Sequence, residues 1–511
     1  MPRRDEIFKL NGVQFNNAFS SSPTCCVSRS SILSGKYVHN HGVTNNTSDG
    51  NCWGLQWQQT QEPFSYASYL HDIGYNTFFG GKYLNRYTDA TVIPRGWNDW
   101  HALMGSIDYY NYHLSNNGVK TFYDDSQSAN YHTTVLKNFA LDFLSDHQAN
   151  NQDAPFLLVF STVAAHSPFT VEDKYLADVE AVDITAPRTP NWNKVDGLDD
   201  HHSLIQTQFG MTTKQIEESD WIFKHRLFTL KSVDDAIDEI YDYIGTQMTE
   251  TTLDDTYFIY ASDHGFHSGQ FGMGFAKMQL YETDIRIPFF MANSGDGVRK
   301  GVAVDAMANN IDIAPTILDI AGIDYAAVAQ MDGKSLLPLV WQQDDEVEDD
   351  EEDDAFSMFL VEYHGEGYTH YEYRECDSHV DGFDGSLCDA WNNTYTCLRW
   401  IDERSDADFM YCNFKCFTEG RVETECEEKY SSVEAKGEYY DLNEDPWQMT
   451  NIWNTLSEQQ VQYFNGKLLE FRSCSGDECR RLLRSNDIPN GEVENESRFY
   501  DFSRIFAWMT V

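Results

Sequence analysis

Phe156-Leu157-Leu158-Val159-Phe160, directly after Pro155, is a run of five apolar residues that indicates the fold class. A short apolar run without alternation is typical of a strand that is buried on both faces, as in a parallel sheet. A second run of this kind is Tyr257-Phe258-Ile259-Tyr260. Between the two runs, apolar side chains recur every three or four positions, at Leu230, Val233, Ile237, Ile240 and Ile244. This spacing predicts an amphipathic helix. Alternation of strands and helices predicts the α/β class, with a mainly parallel sheet sandwiched by helices.

The charge of the chain limits its partners. Its 511 residues include 36 basic and 82 acidic side chains, which give a net charge of −46. A surface of this charge repels nucleic-acid phosphates and anionic lipid, so we expect no nucleic-acid partner. We also expect no membrane span, because no apolar run reaches about 18 residues. An anionic substrate must therefore be bound by a local basic pocket that works against the overall field.

The texture of the sequence changes after residue 340. Ten of the eleven residues at 344–354 are acidic, and such a run repels itself, so we interpret 341–355 as an acidic loop or linker. A calcium-binding tract is the alternative, although the run lacks the glycine and ligand spacing of an EF-hand. We expect residues 1–340 to form a catalytic domain and residues 356–511 a smaller Cys-rich α+β domain.

The cysteines predict an oxidising compartment. Eight of the eleven lie between Cys376 and Cys479, with spacings that favour disulfides over a zinc site. Cys474 and Cys479 are the most favourable pair, because Ser-Gly between them allows a tight loop. Glycosylation sequons agree with this compartment, and they lie at Asn45, Asn46, Asn392 and Asn495. No apolar signal segment follows the basic start of the chain.

The strongest chemical motif runs from Cys25 to Lys36 and reads Cys-Cys-Val-Ser-Arg-Ser-Ser-Ile-Leu-Ser-Gly-Lys. It resembles the signature of the type I sulfatases, which is C-x-P-S-R followed by an apolar pair and T-G-[RK]. The resemblance implies that Cys25, not Cys26, is converted to Cα-formylglycine by the formylglycine-generating enzyme. Val27 stands where the signature has proline, which predicts less efficient conversion.

Four further segments resemble blocks of the same family, in the same order. They are Gly80–Asn85, Ala165–Pro168, Ser262–Gly265 and the segment from Lys277 to Glu282. The resemblance implies a sulfate-binding site and a calcium site. Its catalytic residues would be Cys25, Arg29, Lys82, His166 and Lys277, and its calcium ligands would be Cys25, Asp263 and His264. Fixed positive charge suits a sulfate ester, whose negative charge develops on the leaving oxygen. His39 and His267 are candidate pocket residues, with a structural role as the alternative.

The resemblance is closest to the N-acetylglucosamine-6-sulfatases and extends over residues 11–480. It implies an alkaline-phosphatase-like fold and hydrolysis of 6-O-sulfate esters on N-acetylglucosamine units of sulfated glycans. An arylsulfatase or another carbohydrate sulfatase is one alternative, and an inactive sulfoglycan-binding pseudoenzyme is another. The resemblance also implies a Cys397–Cys412 disulfide and a lysosomal or secreted protein.

One family element has no counterpart in this sequence. Type I sulfatases have a buried strand that ends in Asp-Asp, two metal ligands, ahead of the formylglycine motif. Residues 1–24 contain no such strand, so we expect the catalytic domain to be N-terminally incomplete. The vacant strand position should leave a gap in the sheet, with neighbouring backbone groups unpaired, and should weaken calcium binding.

Overall fold

The structure is a computed structural model of the chain. It describes residues 1–206, 208–295, 297–341, 357–365, 393–402, 406–414, 417–418, 421–422 and 437–483. The strands are β1 Gly12–Phe19, β2 Asn76–Gly81, β3 Asp99–Met104, β4 Tyr112–Asn116, β5 Val119–Tyr123, β6 Phe156–Ser161, β7 Tyr257–Ala261, β8 His267–Ser268, β9 Phe275–Ala276, β10 Phe289–Asn293, β11 Val302–Asn309, β12 Met358–Tyr363, β13 Tyr395–Asp402, β14 Ala407–Phe414, β15 Phe417–Thr418, β16 Arg421–Val422 and β17 Gly437–Asp441.

Helices lie among the first eleven strands, and two further helices follow the last strand of the described chain. They are α1 Pro2–Arg4, α2 Cys25–Ser34, α3 Val38–His41, α4 Leu55–Thr60, α5 Tyr66–Asp72, α6 His132–Asn150, α7 Leu176–Ala181, α8 Ser203–Gln206, α9 Thr213–Gln247, α10 Glu250–Asp254, α11 Glu282–Ile285, α12 Ile313–Ile320, α13 Tyr325–Val328, α14 Leu337–Val340, α15 Glu458–Ser473 and α16 Asp477–Leu482. The two strands and the helix predicted from the apolar pattern are present as β6, β7 and α9.

The α/β class is confirmed, but the sheets are mixed rather than mainly parallel. One sheet has the order β11-β1-β10-β7 and another the order β5-β4-β3-β2-β6. Three of their pairs are parallel, namely β1 with β11 and β2 with both β3 and β6. The sequence interpretation missed the hairpin between β4 and β5, whose Asn117-Gly118 turn has positive φ angles of 47° and 89°. Such a turn is suited to joining adjacent antiparallel strands.

The two sheets are separated by an open position between β6 and β7. Each of these strands is the last of its sheet and pairs on its outer side with no strand of the described chain. Both line one cavity of about 1190 Å³, together with the apolar stripe of α9 from Leu230 to Ile244. The gap expected from the sequence is therefore present, and it explains why β6 and β7 are only half-buried.

Strands β12, β13, β14 and β17 form an antiparallel sheet that packs with α15 in the described part of the C-terminal region. Both predicted disulfides are confirmed. Cys397 and Cys412 are direct partners on β13 and β14, with Cα atoms 4.1 Å apart. Cys474 and Cys479 have Cα atoms 5.0 Å apart, within the about 7 Å that a disulfide allows.

Some sequence predictions fall outside the described residues. These are the acidic tract 344–354, the sequons at Asn392 and Asn495, and the cysteines Cys376, Cys388, Cys416 and Cys426. Among the helices that the structure describes, none is long and apolar enough to cross a membrane.

Candidate active site

Helix α2 places Cys25 at the centre of the candidate site. Cys25 is the first residue of the helix, is 1% exposed, and is the free cysteine among the described residues. Its neighbour Cys26 is bonded to Cys52, with Cα atoms 5.9 Å apart, so Cys26 has no thiol for chemistry. The structure therefore leaves Cys25 as the reactive member of the Cys-Cys pair. The first turn of a helix also favours negative charge on a side chain at this position.

Positive groups surround the Cys25 thiol. Burial alone would raise the pKa of this thiol, yet the pKa is held well below its ordinary value, first of all by Lys277 and Lys82. His264 and His166 act in the same direction. The Cys25 Sγ atom lies 3.3 Å from Nε2 of His264. A negatively charged group is thus stabilised at this point of the molecule, which is what a sulfate-binding pocket requires.

Arg29, one helical turn after Cys25, connects the ends of both sheets. Its Nε donates to Oδ2 of Asp263, which follows β7, at 2.8 Å. Its Nη1 donates at 2.8 Å to the hydroxyl of Ser161, the last residue of β6. The same Nη1 donates to the backbone oxygen of Lys82, which follows β2, also at 2.8 Å. The carboxyl ends of three strands therefore meet at one guanidinium, as expected of a binding site in an α/β protein.

Hydrogen bonds fix the orientation of the two histidines. Nδ1 of His264 donates to the backbone oxygen of Gly265 at 2.7 Å, so Nε2 is the ring nitrogen that faces the Cys25 sulfur. Nδ1 of His166 donates to the backbone oxygen of Ser167 at 2.8 Å. Burial lowers the pKa of His166, and Lys277 lowers it further, so the ring is neutral at neutral pH. The neutral His166 ring can then accept one proton at Nε2.

The remaining charges are balanced toward anion binding. Burial would raise the pKa of Asp263, but His264 and Arg29 lower it to about 2, so the carboxylate is charged. Burial lowers the pKa of Lys82, and Cys25 opposes this. The charge of Arg29 is paired with that of Asp263. Positive charge for an anion in the cavity therefore comes from Lys82 and Lys277, which both line it.

The described residues offer only part of a metal site. Ligand atoms of Cys25, Asp263 and His264 lie within 4.8 Å of one another. Calcium takes six to eight oxygen ligands, whereas Asp263 supplies the one carboxylate of this group. One oxygen of that carboxylate also accepts from Arg29. This donor set does not fit calcium on its own, and we derive no step of the reaction through a metal.

Every catalytic and metal-binding residue predicted from the sequence lies in this one place. Lys82, His166, Asp263, His264 and Lys277 line the same cavity, with Cys25 and Arg29 beside them.

The two candidate pocket histidines do not line this cavity. Nδ1 of His39 lies 2.8 Å from a carboxylate oxygen of Glu362, and Nε2 lies 3.1 Å from the backbone oxygen of Cys474, so this ring connects α3 to the C-terminal region. His267 is buried, with Nδ1 2.8 Å from a carboxylate oxygen of Asp284. Both rings thus pair with carboxylates away from this cavity, as expected of the structural alternative.

Sequence reasoning missed two polar residues of the site. Ser161 donates to the backbone oxygen of Lys82 at 2.8 Å while accepting from Arg29. Its place directly after an apolar strand was a usable signal, because strand ends carry functional groups in this fold class. Arg226 also lines the cavity. It lies four residues before Leu230, so it is a charged residue in line with the apolar stripe of α9.

A family model described as sulfatase matches residues 1–323 of the chain. The chain belongs to the sulfatase family. It is thus a member of a family of sulfuric ester hydrolases, and the segment of this sulfatase that resembles the family signature lies on the helix that begins at Cys25. Members of the family generally use a formylglycine nucleophile and a divalent metal ion.

Named relatives agree with this assignment. The sulfatase is 38% identical over 489 residues to N-acetylglucosamine-6-sulfatase of Homo sapiens, which covers 92% of this chain and 80% of that relative. It is 36% identical over 369 residues to the extracellular sulfatase SULF-1 homologue of Drosophila melanogaster, covering 72% of this chain and 32% of that relative.

Solved structures agree on the fold. BT4656, solved with its substrate D-glucosamine-2-N,6-O-disulfate, superposes with a TM-score of 0.64 at 20% identity, covering 94% of this chain and 93% of BT4656. A phosphonate monoester hydrolase from Silicibacter pomeroyi superposes with a TM-score of 0.58 at 18% identity, covering 90% and 88%. The alkaline-phosphatase-like fold expected from the sequence is therefore confirmed.

Proposed function

We propose that this sulfatase hydrolyses 6-O-sulfate esters of N-acetylglucosamine units in sulfated glycans. The observation that carries the proposal is the cationic setting of Cys25, in a chain 38% identical to an N-acetylglucosamine-6-sulfatase over 92% of its length. We further propose that Cys25 acts as Cα-formylglycine, formed by the formylglycine-generating enzyme. The hydrated aldehyde would supply the oxygen nucleophile that a thiol cannot replace in this chemistry.

The residues around Cys25 have separate tasks in this proposal. Lys82 and Lys277 bind the sulfate and stabilise the negative charge that develops on its oxygens. Arg29 holds Asp263, Ser161 and the backbone of Lys82 in fixed positions around the reacting group. His264, whose Nε2 faces position 25, accepts the proton of the nucleophile. His166 is neutral, and we assign to it the binding or protonation of the leaving oxygen.

We propose that this site binds calcium only when oxygen ligands beyond those of the described residues are present. Asp263 is the carboxylate that the described residues would contribute, with His264 and position 25 beside it. The open position between β6 and β7 ends at this point, because Ser161 and Asp263 lie at the carboxyl ends of the two strands. A strand in that position could bring further carboxylates to the same place.

We propose a location in the secretory pathway, either lysosomal or secreted. The disulfides Cys26–Cys52, Cys397–Cys412 and Cys474–Cys479 favour an oxidising compartment. One of the relatives is named an extracellular sulfatase. Of the two sequons in the described residues, Asn45 is buried, and Asn46 is half-buried with its Nδ2 donating to the buried Thr24 hydroxyl at 2.8 Å.

The test is a hydrolysis assay on protein co-expressed with the formylglycine-generating enzyme. We expect release of sulfate from 6-sulfated N-acetylglucosamine, slow in this chain because its calcium ligands are incomplete, and much slower release from an aryl sulfate. The reverse preference would support the arylsulfatase alternative, for which a 25% identical relative in Volvox carteri is named. Binding of sulfated glucosamine without turnover by converted protein would instead support the pseudoenzyme alternative, which the incomplete donor set for calcium favours.

A further inference from the structure

Arg226 is a cation at the candidate active site that forms no ion pair with a carboxylate in the described part of the chain. It lies on α9 and lines the cavity together with Lys82, His166 and Lys277. Its Nε atom is buried and donates to no acceptor of the described residues. A buried guanidinium nitrogen without an acceptor is costly, so this position favours a ligand that supplies an acceptor oxygen.

The neighbours of Arg226 connect it to the catalytic histidines. Its guanidinium carbon lies 3.8 Å from the ring centroid of Phe266, which comes two residues after His264. Next to it, the hydroxyl of Tyr109 donates to the backbone oxygen of His166 at 2.8 Å. Burial lowers the pKa of Arg226 to about 9, and Tyr109 opposes this shift. The side chain is thus fixed by an aromatic ring and still charged at neutral pH.

Arg226 differs from the other cations of the site in what it contacts. Arg29 is bound to Asp263, while Lys82 and Lys277 act on Cys25 directly. Arg226 packs on Phe266 and lies beside Tyr109, and it is not among the groups that act most strongly on the pKa of the Cys25 thiol. A group that binds there would belong to the same substrate but not to the sulfate that is hydrolysed.

We propose that Arg226 forms a second anion subsite, which binds another acidic substituent of the glycan, either a sulfate or a carboxylate. A planar guanidinium suits both groups, because it can donate two parallel hydrogen bonds to their oxygens. The inference rests on the proposed function and adds a preference to it. The enzyme would bind a doubly charged sugar more tightly than a 6-sulfated sugar without the second charge.

Binding to unconverted protein, in which Cys25 keeps its thiol and cannot turn over, tests the proposal. Calorimetry would compare 6-sulfated N-acetylglucosamine with N,6-disulfated glucosamine, and with a 6-sulfated N-acetylglucosamine linked to a uronate. The variants are Arg226→Gln, Arg226→Lys and the control Arg188→Gln. Arg188 also lies 3.8 Å from an aromatic centroid, that of Trp192, but is paired with Asp220 at 2.8 Å and does not line the cavity.

We expect Arg226→Gln to weaken binding of the doubly charged sugar by about tenfold to a hundredfold, which is the range for loss of a charged hydrogen bond. Binding of the singly sulfated sugar should change less than about threefold, and Arg226→Lys should recover part of the loss. The carboxylate and sulfate arms identify which substituent is bound. Equal losses for all sugars, or no loss, would overturn the subsite alone. Failure of the wild-type protein to bind any of the sugars would overturn the proposed function as well.

Discussion

Arg29 donates from Nε to Asp263 at 2.8 Å while its Nη1 donates to Ser161, so one side chain joins the ends of two sheets that share no strand pair there. Ser161 ends β6 and Asp263 follows β7. The arrangement makes Arg29 a structural link as well as a part of the site. Loss of this side chain should therefore affect both the distance between the two sheets and the position of Asp263.

Modification of Cys25 is the first prediction. Peptide mass spectrometry of protein co-expressed with the formylglycine-generating enzyme should show an aldehyde at Cys25 and none at Cys26, which is bonded to Cys52. Cys25→Ala should abolish turnover without lowering the thermal unfolding temperature. Val27→Pro should raise the modified fraction, because it restores the signature. Full activity with an unmodified Cys25 thiol would rule out the mechanism.

The two lysines should control the charge at position 25. In unconverted protein the thiolate absorbance of Cys25 should titrate well below the ordinary range of a thiol. Lys277→Gln and Lys82→Gln should each raise the pKa of this thiol, because each removes a nearby positive charge. The exposed Lys120→Gln variant serves as the control. A thiol pKa that is the same in all four proteins would contradict the cationic pocket.

Glu62 should make the protein more stable in acid. Burial raises the pKa of Glu62 to about 7, although Tyr83 and Trp57 donate hydrogen bonds to its carboxyl group. The folded state then holds a proton that the unfolded state releases above its ordinary pKa of 4.5. The contribution of Glu62 to the free energy of unfolding is thus fully present below pH 4.5. It is lost as the pH rises through 7, and the loss amounts to about 3 kcal/mol.

Glu62→Gln should remove this part of the pH dependence, because an amide oxygen can accept the same bonds without a charge. Denaturant unfolding at about pH 5 and about pH 8 would measure the difference between the variant and the wild type. The exposed Glu217→Gln variant controls for general loss of a carboxylate. If the wild type and Glu62→Gln show parallel pH profiles, Glu62 is charged in the folded protein.

Calcium binding should depend on carboxylates beyond Asp263. We expect this chain to bind calcium weakly by calorimetry, because calcium prefers six to eight oxygen ligands. A variant extended at Met1 by an apolar strand ending in Asp-Asp should fill the position between β6 and β7, bind calcium more tightly and turn over faster. The same extension ending in Asn-Asn is the control. Tight calcium binding by the unextended chain would show that other acids complete the site.

The sequence predicted the site better than it predicted the sheets. Cys25, Lys82 and Asp263 lie in short motifs at a helix start or directly after a strand, so local sequence fixes where each side chain emerges. Strand direction depends on contacts between distant segments, such as β1 between β10 and β11, and no local pattern reports it. The domain boundaries at residues 340 and 356 stay a prediction.

Single residues without a motif were harder to place. Arg226 is held near the candidate site by its contact with Phe266, and that contact exists only once α9 lies on the loop after β7. His39 stands next to the signature in sequence, yet the C-terminal region supplies its partners Glu362 and Cys474. Nearness in sequence to a motif therefore did not indicate a role in the pocket, because partners far along the chain decided where the ring lies.

The burial of Cys25 sets an order of events in time. Its side chain is 1% exposed, and the next residue forms a disulfide with Cys52, 26 positions later in the chain. The proposed modification of Cys25 therefore requires access to a side chain that helix α2 and this disulfide bury in the folded protein. We therefore expect the proposed modification to precede the folding of helix α2. The yield of active enzyme in a cell should depend on how long the segment from Cys25 to Lys36 stays unfolded, rather than on the stability of the folded protein.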